Sequence, residues 1–143
     1  MEAVNTAGKQ SLEFLRDRDQ QGKIIAEYIW IDGACGLRSK SRTLDKKPSN
    51  VSDLPEWNYD GSSCYQATTE NSEIIMKPVF MFPDPFRGGD NIMVLVETFT
   101  WKDTTYKELV PSNTNFRHFA KKIFDSNTDE EPWFGIEQEY TIL

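Results

Sequence analysis

Residues 24–44, "IIAEYIWIDGACGLRSKSRTL", constrain the fold more than any other stretch. Ile24 to Ile31 is dense in branched and aromatic residues, which suit a pleated surface. Leu37 to Leu44 alternates more weakly, and Asp32-Gly33-Ala34-Cys35-Gly36 separates the two runs with turn-forming residues. Two such runs around a short turn predict a β-hairpin, so the chain must build a sheet. The glycine pair is turn chemistry. It lacks both the GxGxxG spacing and the following helix of a phosphate-binding loop.

The rest of the chain sorts around that hairpin. Ser11 to Gln21 reads as a short helix with Leu12, Phe14 and Leu15 on one side and Gly22 placed to end it. Glu56 to Glu73 carries no hydrophobic period, which predicts a long loop anchored by Trp57 and Tyr59 at its start. Ile74 to Met76 and Val79 to Phe82 read as short strands broken by Pro78. "PDPFRGGDN" is a turn-rich loop, and Ile92 to Thr100 is a clear strand. Asn113 to Asn115 can cap a helix from Phe116 to about Ser126, with Phe119, Ile123 and Phe124 on one face. A final strand holds Glu137 and Glu139. The fold class is therefore α+β: a helical segment over 1–21, a mainly antiparallel sheet over 22–108, and the opening of a second unit over 109–143.

Sixteen basic residues against 23 acidic ones give a net charge of −7, with no basic excess for nucleic acid or an anionic membrane surface. No apolar run approaches the roughly 20 residues that span a bilayer, and the N-terminus has no apolar signal core. Cys35 and Cys64 lack CxxC spacing and are expected to be reduced thiols in the cytoplasm.

The chemistry-bearing residues lie in two places. On a strand, Glu137 and Glu139 would share one face. Paired carboxylates there suit a hard divalent ion such as Mg²⁺ or Mn²⁺, or are simply a polar sheet face. The apolar setting of Trp133, Phe134, Ile136 and Tyr140 favours compensation by a metal. Asp60-Gly61-Ser62-Ser63 is either an Asx turn or a carboxylate that binds a small cation or accepts a proton. His118, the single histidine, reads as a surface or packing residue.

The blocks "IAEYIWIDG", "LRSKSRTL", "LPEWNYDGSS", "KPVFMFPDPFRGGDN", "TNFRH" and "EEPWFGIEQEYTIL" together resemble the N-terminal third of a eukaryotic-type glutamine synthetase, over Lys23 to Leu143. The resemblance implies a β-grasp domain over 22–108, then the start of an α/β catalytic domain. It implies ATP-dependent joining of glutamate and ammonium through γ-glutamyl phosphate, in cytoplasmic homo-oligomeric rings whose active sites form between neighbouring subunits. Glu137 and Glu139 match metal-binding glutamates. Asp60 matches the catalytic, ammonium-binding aspartate, with Ser63 supporting its loop, and Trp133 and Glu137 fall in the nucleotide region. The sequence departs from that pattern at Cys64-Tyr65-Gln66-Ala67-Thr68-Thr69, where the family has threonine followed by a glycine- and proline-containing run. The remaining metal ligands and the phosphate-binding arginines have no counterpart here. The expectation is an N-terminal part that is inactive alone; the alternative is a non-catalytic module that docks onto full-length subunits.

Overall fold

A computed structural model describes residues 19–142. Six strands form one sheet: β1 (Ile24–Ile31), β2 (Leu37–Leu44), β3 (Trp57–Asp60), β4 (Glu73–Pro83), β5 (Ile92–Trp101) and β6 (Leu109–Pro111). Among the described residues one helix, α1 (Phe116–Ser126), follows, and short 3₁₀ turns occupy Val51–Asp53, Ser62–Cys64 and Thr128–Glu130. The strand order is β2-β1-β5-β4-β3, with β6 paired to β5. This is the α+β class expected, and its curled sheet is β-grasp-like. Most of the expected first helix lies outside the described residues; at its end, Gln21 and Gly22 turn with φ of 55° and 73°.

The hairpin forms where the sequence places it, with Ile24 opposite Leu44 and Ile31 opposite Leu37. β1 also pairs with β5, in parallel, from Ala26↔Ile92 to Ile29↔Leu95. Parallel neighbours need a long crossover, here supplied by β2, β3 and β4. β4 covers β5 along its length, so the other edge of β5 is shared: β1 takes its first half and β6 takes Phe99 to Trp101.

Alternation on β1 sends Ile24, Ala26, Tyr28 and Trp30 to one face, all buried, beside Ile92 and Val94 of β5. Leu54, Cys64 and Met76 complete this core. Two ring contacts show that the sheet curls, because β3 lies at the opposite end of the strand order from the β1–β2 hairpin. Trp30 stacks on Tyr59 with centroids 4.3 Å apart, and Tyr28 meets Trp57 edge-on at 5.6 Å. Each such pair contributes about 0.5–1.5 kcal/mol beyond its buried area. The Tyr28 hydroxyl donates to the Pro55 carbonyl, so its polar end is satisfied.

Four features differ from the sequence reading. Trp57–Asp60, read as loop, is a strand, because cross-strand pairing with Glu73–Met76 supplies what local periodicity lacks. The two strands expected around Pro78 are one strand of 11 residues. Val79 bulges out of register there, and beyond Met76 only β5 flanks β4, so a residue without an N–H is tolerated. β6 is short enough to have carried no period of its own. The terminal strand is absent: 131–142 has no regular structure, and Trp133 and Ile136 are 95% and 97% exposed. A strand needs a neighbour for its backbone groups, and none of the described residues supplies one. α1 does form, capped by Asn115, whose Oδ1 accepts from the His118 N–H at 3.2 Å. Its apolar residues Phe116, Phe119, Ile123 and Phe124 remain exposed.

The β4–β5 connection is held by a buried carboxylate. Asp84 Oδ1 accepts from the N–H groups of Phe86 and Arg87 at 2.8 and 3.0 Å. Its Oδ2 accepts from Arg87, which also reaches Glu27 of β1 at 2.6 Å. Burial pushes the Asp84 carboxyl up, but the Arg87 guanidinium and the two N–H groups outweigh it and hold it below the usual range. Its contribution is therefore complete above the unfolded-state value of about 3.9 and fades as pH falls through the lower folded value. Asp84→Asn is expected to lower stability at pH 7 by about 1–3 kcal/mol, since a donor then faces Arg87. It should also flatten the acid limb below about pH 4. Urea titrations across pH, in which the variant kept the parental slope, would show that Asp84 has no such role.

Candidate functional site

Asp60 is the last residue of β3, opposite Glu73. The next backbone group, Gly61 N–H, donates to Ser72 O at 2.6 Å and closes the base of the connection. Asp60 Oδ1 accepts from the Ser62 N–H at 2.9 Å and from the Ser62 hydroxyl at 2.6 Å, an Asx turn reinforced by a side chain. The Ser62 hydroxyl, then its N–H, hold the Asp60 carboxyl below the usual carboxylate range. The result is an exposed, ionised carboxylate of fixed orientation. Ser63 acts on the backbone instead, its hydroxyl donating to Asp60 O at 3.3 Å.

The turn is seated on the hairpin loop. Gly33 N–H donates to Cys64 O at 2.8 Å, so close that a Cβ on Gly33 would lie 2.0 Å from Tyr65 O. Asp32 fixes that loop by accepting from the N–H groups of Ala34 and Gly36 at 2.9 and 2.8 Å and from Arg38 at 2.7 Å. The Arg38 guanidinium, more than the two N–H groups, holds the Asp32 carboxyl low. Cys35 and Cys64 are both free thiols, the first exposed and the second buried.

Beneath the turn lies a polar cluster that no sequence pattern announced. Gln66 is 8% exposed, and Thr98, Ser112, Thr114 and Asn115 are buried around it. Gln66 Oε1 accepts from the Tyr59 hydroxyl, and its Nε2 donates to Ile31 O at 3.1 Å. The Thr98 and Ser112 hydroxyls bond to each other, and Asn115 Nδ2 donates to Thr98 O at 3.0 Å. Gln66 sits in a run without hydrophobic period and looks like loop in a sequence, and its partners are far from it along the chain. Only the fold reveals that they are inside.

The other sequence-derived residues lie elsewhere. Glu137 and Glu139 are exposed in the segment without regular structure, as is Trp133. Among the described residues no three His, Cys, Asp or Glu side chains come close enough to hold a metal ion, so Asp60, Glu137 and Glu139 are not assembled together. Two carboxylates are the right donors for a hard cation but fill only part of an octahedron. His118 packs, its ring edge-on to Phe99 at 5.7 Å and to Phe119 at 5.5 Å.

No family model matches the chain. Curated relatives do. The chain is 56% identical over 125 residues to a glutamine synthetase of Tuber borchii, a span of 87% of this chain and 33% of that protein. It is 46% identical over 142 residues to one of Emericella nidulans, 99% of this chain and 38% of the relative. It is 51% identical over 134 residues to one of Saccharomyces cerevisiae, 94% and 35% respectively. The chain thus spans about a third of the length of the curated relatives it matches.

The geometry makes Gly61 a sensitive position. A Cβ there would lie 2.3 Å from Ile74 Cγ1 and 3.1 Å from the Ala67 Cβ. Ile74 is fully buried in β4, so the turn must yield. Gly61→Ala is expected to cost about 1–3 kcal/mol and to disturb the Asp60 turn. Unchanged thermal stability in the variant would mean the close approach is not maintained in solution.

Proposed function

The chain belongs, by sequence, with the glutamine synthetases, of whose curated members it spans about a third, and on that basis we propose that it is the N-terminal part of an enzyme joining glutamate and ammonium at the expense of ATP. The observation that carries this is identity of 46–56% over 87–99% of the chain. In this reading residues 22–108 are a β-grasp domain and 109–143 begin the catalytic domain, in a cytoplasmic ring of like subunits. γ-Glutamyl phosphate is the intermediate.

Asp60 is proposed to bind ammonium and take its proton. Ammonium has no lone pair, so it must lose a proton before it can attack an acyl phosphate. An exposed carboxylate held ionised by Ser62 suits the binding of the cation. Ser63 supports the backbone under it. Glu137 and Glu139 would hold Mg²⁺ or Mn²⁺, which when bound neutralises phosphate oxygens. Trp133, with Glu137, would border the nucleotide. A second reading, a non-catalytic module docking on full-length subunits, draws on the exposed apolar face of α1. Co-elution with full-length enzyme in size-exclusion chromatography is its expected sign.

Two measurements test the main reading. In a full-length enzyme carrying this segment, Asp60→Ala should cut ammonia-dependent synthesis by about 10²–10⁴-fold. Undiminished synthesis would remove Asp60 from the mechanism. The 143-residue chain alone should show no glutamate-dependent ATP turnover, and calorimetric titration with Mn²⁺ should show no submicromolar site. Either activity in the isolated chain would contradict the partial-site account.

A further inference from the structure

The connection between β3 and β4 runs from Gly61 to Ser72, and its two halves are held very differently. In the first half, the N–H groups of Cys64 and Gln66 both donate to Gly61 O, at 3.1 and 3.0 Å. The peptide that follows Asp60 is therefore gripped from two directions. Cys64 and Gln66 are buried, whereas Thr68, Thr69 and Glu70 are exposed. The side chain of Gln66 reaches four parts of the fold at once. It touches Tyr59 on β3, the end of β1 at Ile31 O, Thr98 on β5, and Ser112 and Thr114 in the segment leading to α1. Thr114 in turn donates to the same Ile31 O at 3.3 Å.

We infer that Gln66 is a positioning residue for Asp60: its buried amide locks the Gly61–Gln66 half of the connection to β1, β3, β5 and the segment before α1, while in the other half Asn71 Nδ2 donates to Trp101 O and Ser72 O accepts from Gly61 N–H, so that only Thr68–Glu70 stand exposed. A buried amide leaves its site only by abandoning its partners, which keeps the turn in place. Because Gln66 also meets Ser112 and Thr114, the Asp60 turn is mechanically linked to the chain entering α1. A displacement of that segment has a direct route to the carboxylate. The inference rests on the reading of Asp60 as the ammonium-binding group for its catalytic meaning, though not for the positioning itself.

The test uses the 143-residue chain. Gln66→Met keeps the volume and removes the hydrogen bonds; Tyr59→Phe removes one of them; Thr68→Ala alters only the exposed half. Native-state hydrogen exchange is followed at the Gly61, Cys64 and Gln66 amides and at Ala26 and Val94 in the sheet. The Asp60 carboxyl is titrated by carbon NMR. Gln66→Met should accelerate exchange at the three turn amides about tenfold more than at the sheet amides. It should also raise the Asp60 titration midpoint towards the ordinary carboxylate value. Tyr59→Phe should give a smaller change of the same pattern, and Thr68→Ala none. Uniform acceleration with an unmoved Asp60 midpoint would reduce Gln66 to a stability residue and overturn the inference, as would an equal response to Thr68→Ala. If Gln66→Met fails to fold, the Tyr59→Phe pattern decides alone. Should these effects appear while Asp60→Ala spares synthesis in full-length enzyme, the positioning stands and the ammonium reading falls.

Discussion

The curl of the sheet rests on two pairs of aromatic rings. Trp30 on Tyr59 and Tyr28 against Trp57 bring β3 over the face of β1, although β5 and β4 lie between them in the strand order. Everything that presents Asp60 follows from that closure. β3 has only four residues, and without its rings inserted into the core it would be a weakly held end strand. The aromatic at 59 also carries the hydroxyl that reaches Gln66, so one side chain serves both the apolar core and the polar cluster beside it.

That arrangement explains what could be read from the sequence. Strands with their own alternation or density, Ile24–Ile31 and Ile92–Trp101, announced themselves, as did the turn chemistry of Asp32 to Gly36. The cap at Asn115 marked the helix. Trp57 and Tyr59 pointed to an anchored segment but could not show that they were paired in a strand, because four residues hold too few positions to define a period. Pro78 gave a misleading signal. Its missing N–H breaks a strand only where a neighbour must accept from it, and Pro78 stands at a bulge on a stretch of β4 that β5 alone flanks among the described residues. Glu137 and Glu139 have the spacing of a shared strand face, yet spacing becomes geometry only when another strand is present to pair with.

The site shows the same division. Asp60 was legible through its Asp-Gly-Ser-Ser setting, and both readings of that tetrapeptide are physically compatible, since the Asx turn is what orients an ionised carboxylate. Ser62, a member of that tetrapeptide given no role of its own in the sequence, supplies the hydrogen bonds. Gln66 lies in the Cys64–Thr69 stretch, and it is the most connected polar side chain near the site. Its partners come from positions 31, 59, 98, 112 and 114, a set no local window can contain.

The parallel pairing of β1 with β5 has a consequence for how such a chain is made. Ala26 waits for Ile92, and Ile29 for Leu95, each pair lying 66 positions apart in the chain. At a synthesis rate of about 5–20 residues per second, the apolar face of β1 emerges roughly 3–13 seconds before its central neighbour. During that interval the hairpin with β2 is the only sheet partner available to it. Two basic side chains of β2, Lys40 and Arg42, end up over the ring of Trp57 in the finished fold. On the nascent hairpin they stand directly across from Tyr28 and Ala26, a charged fringe on the strand edge that discourages other chains from pairing there.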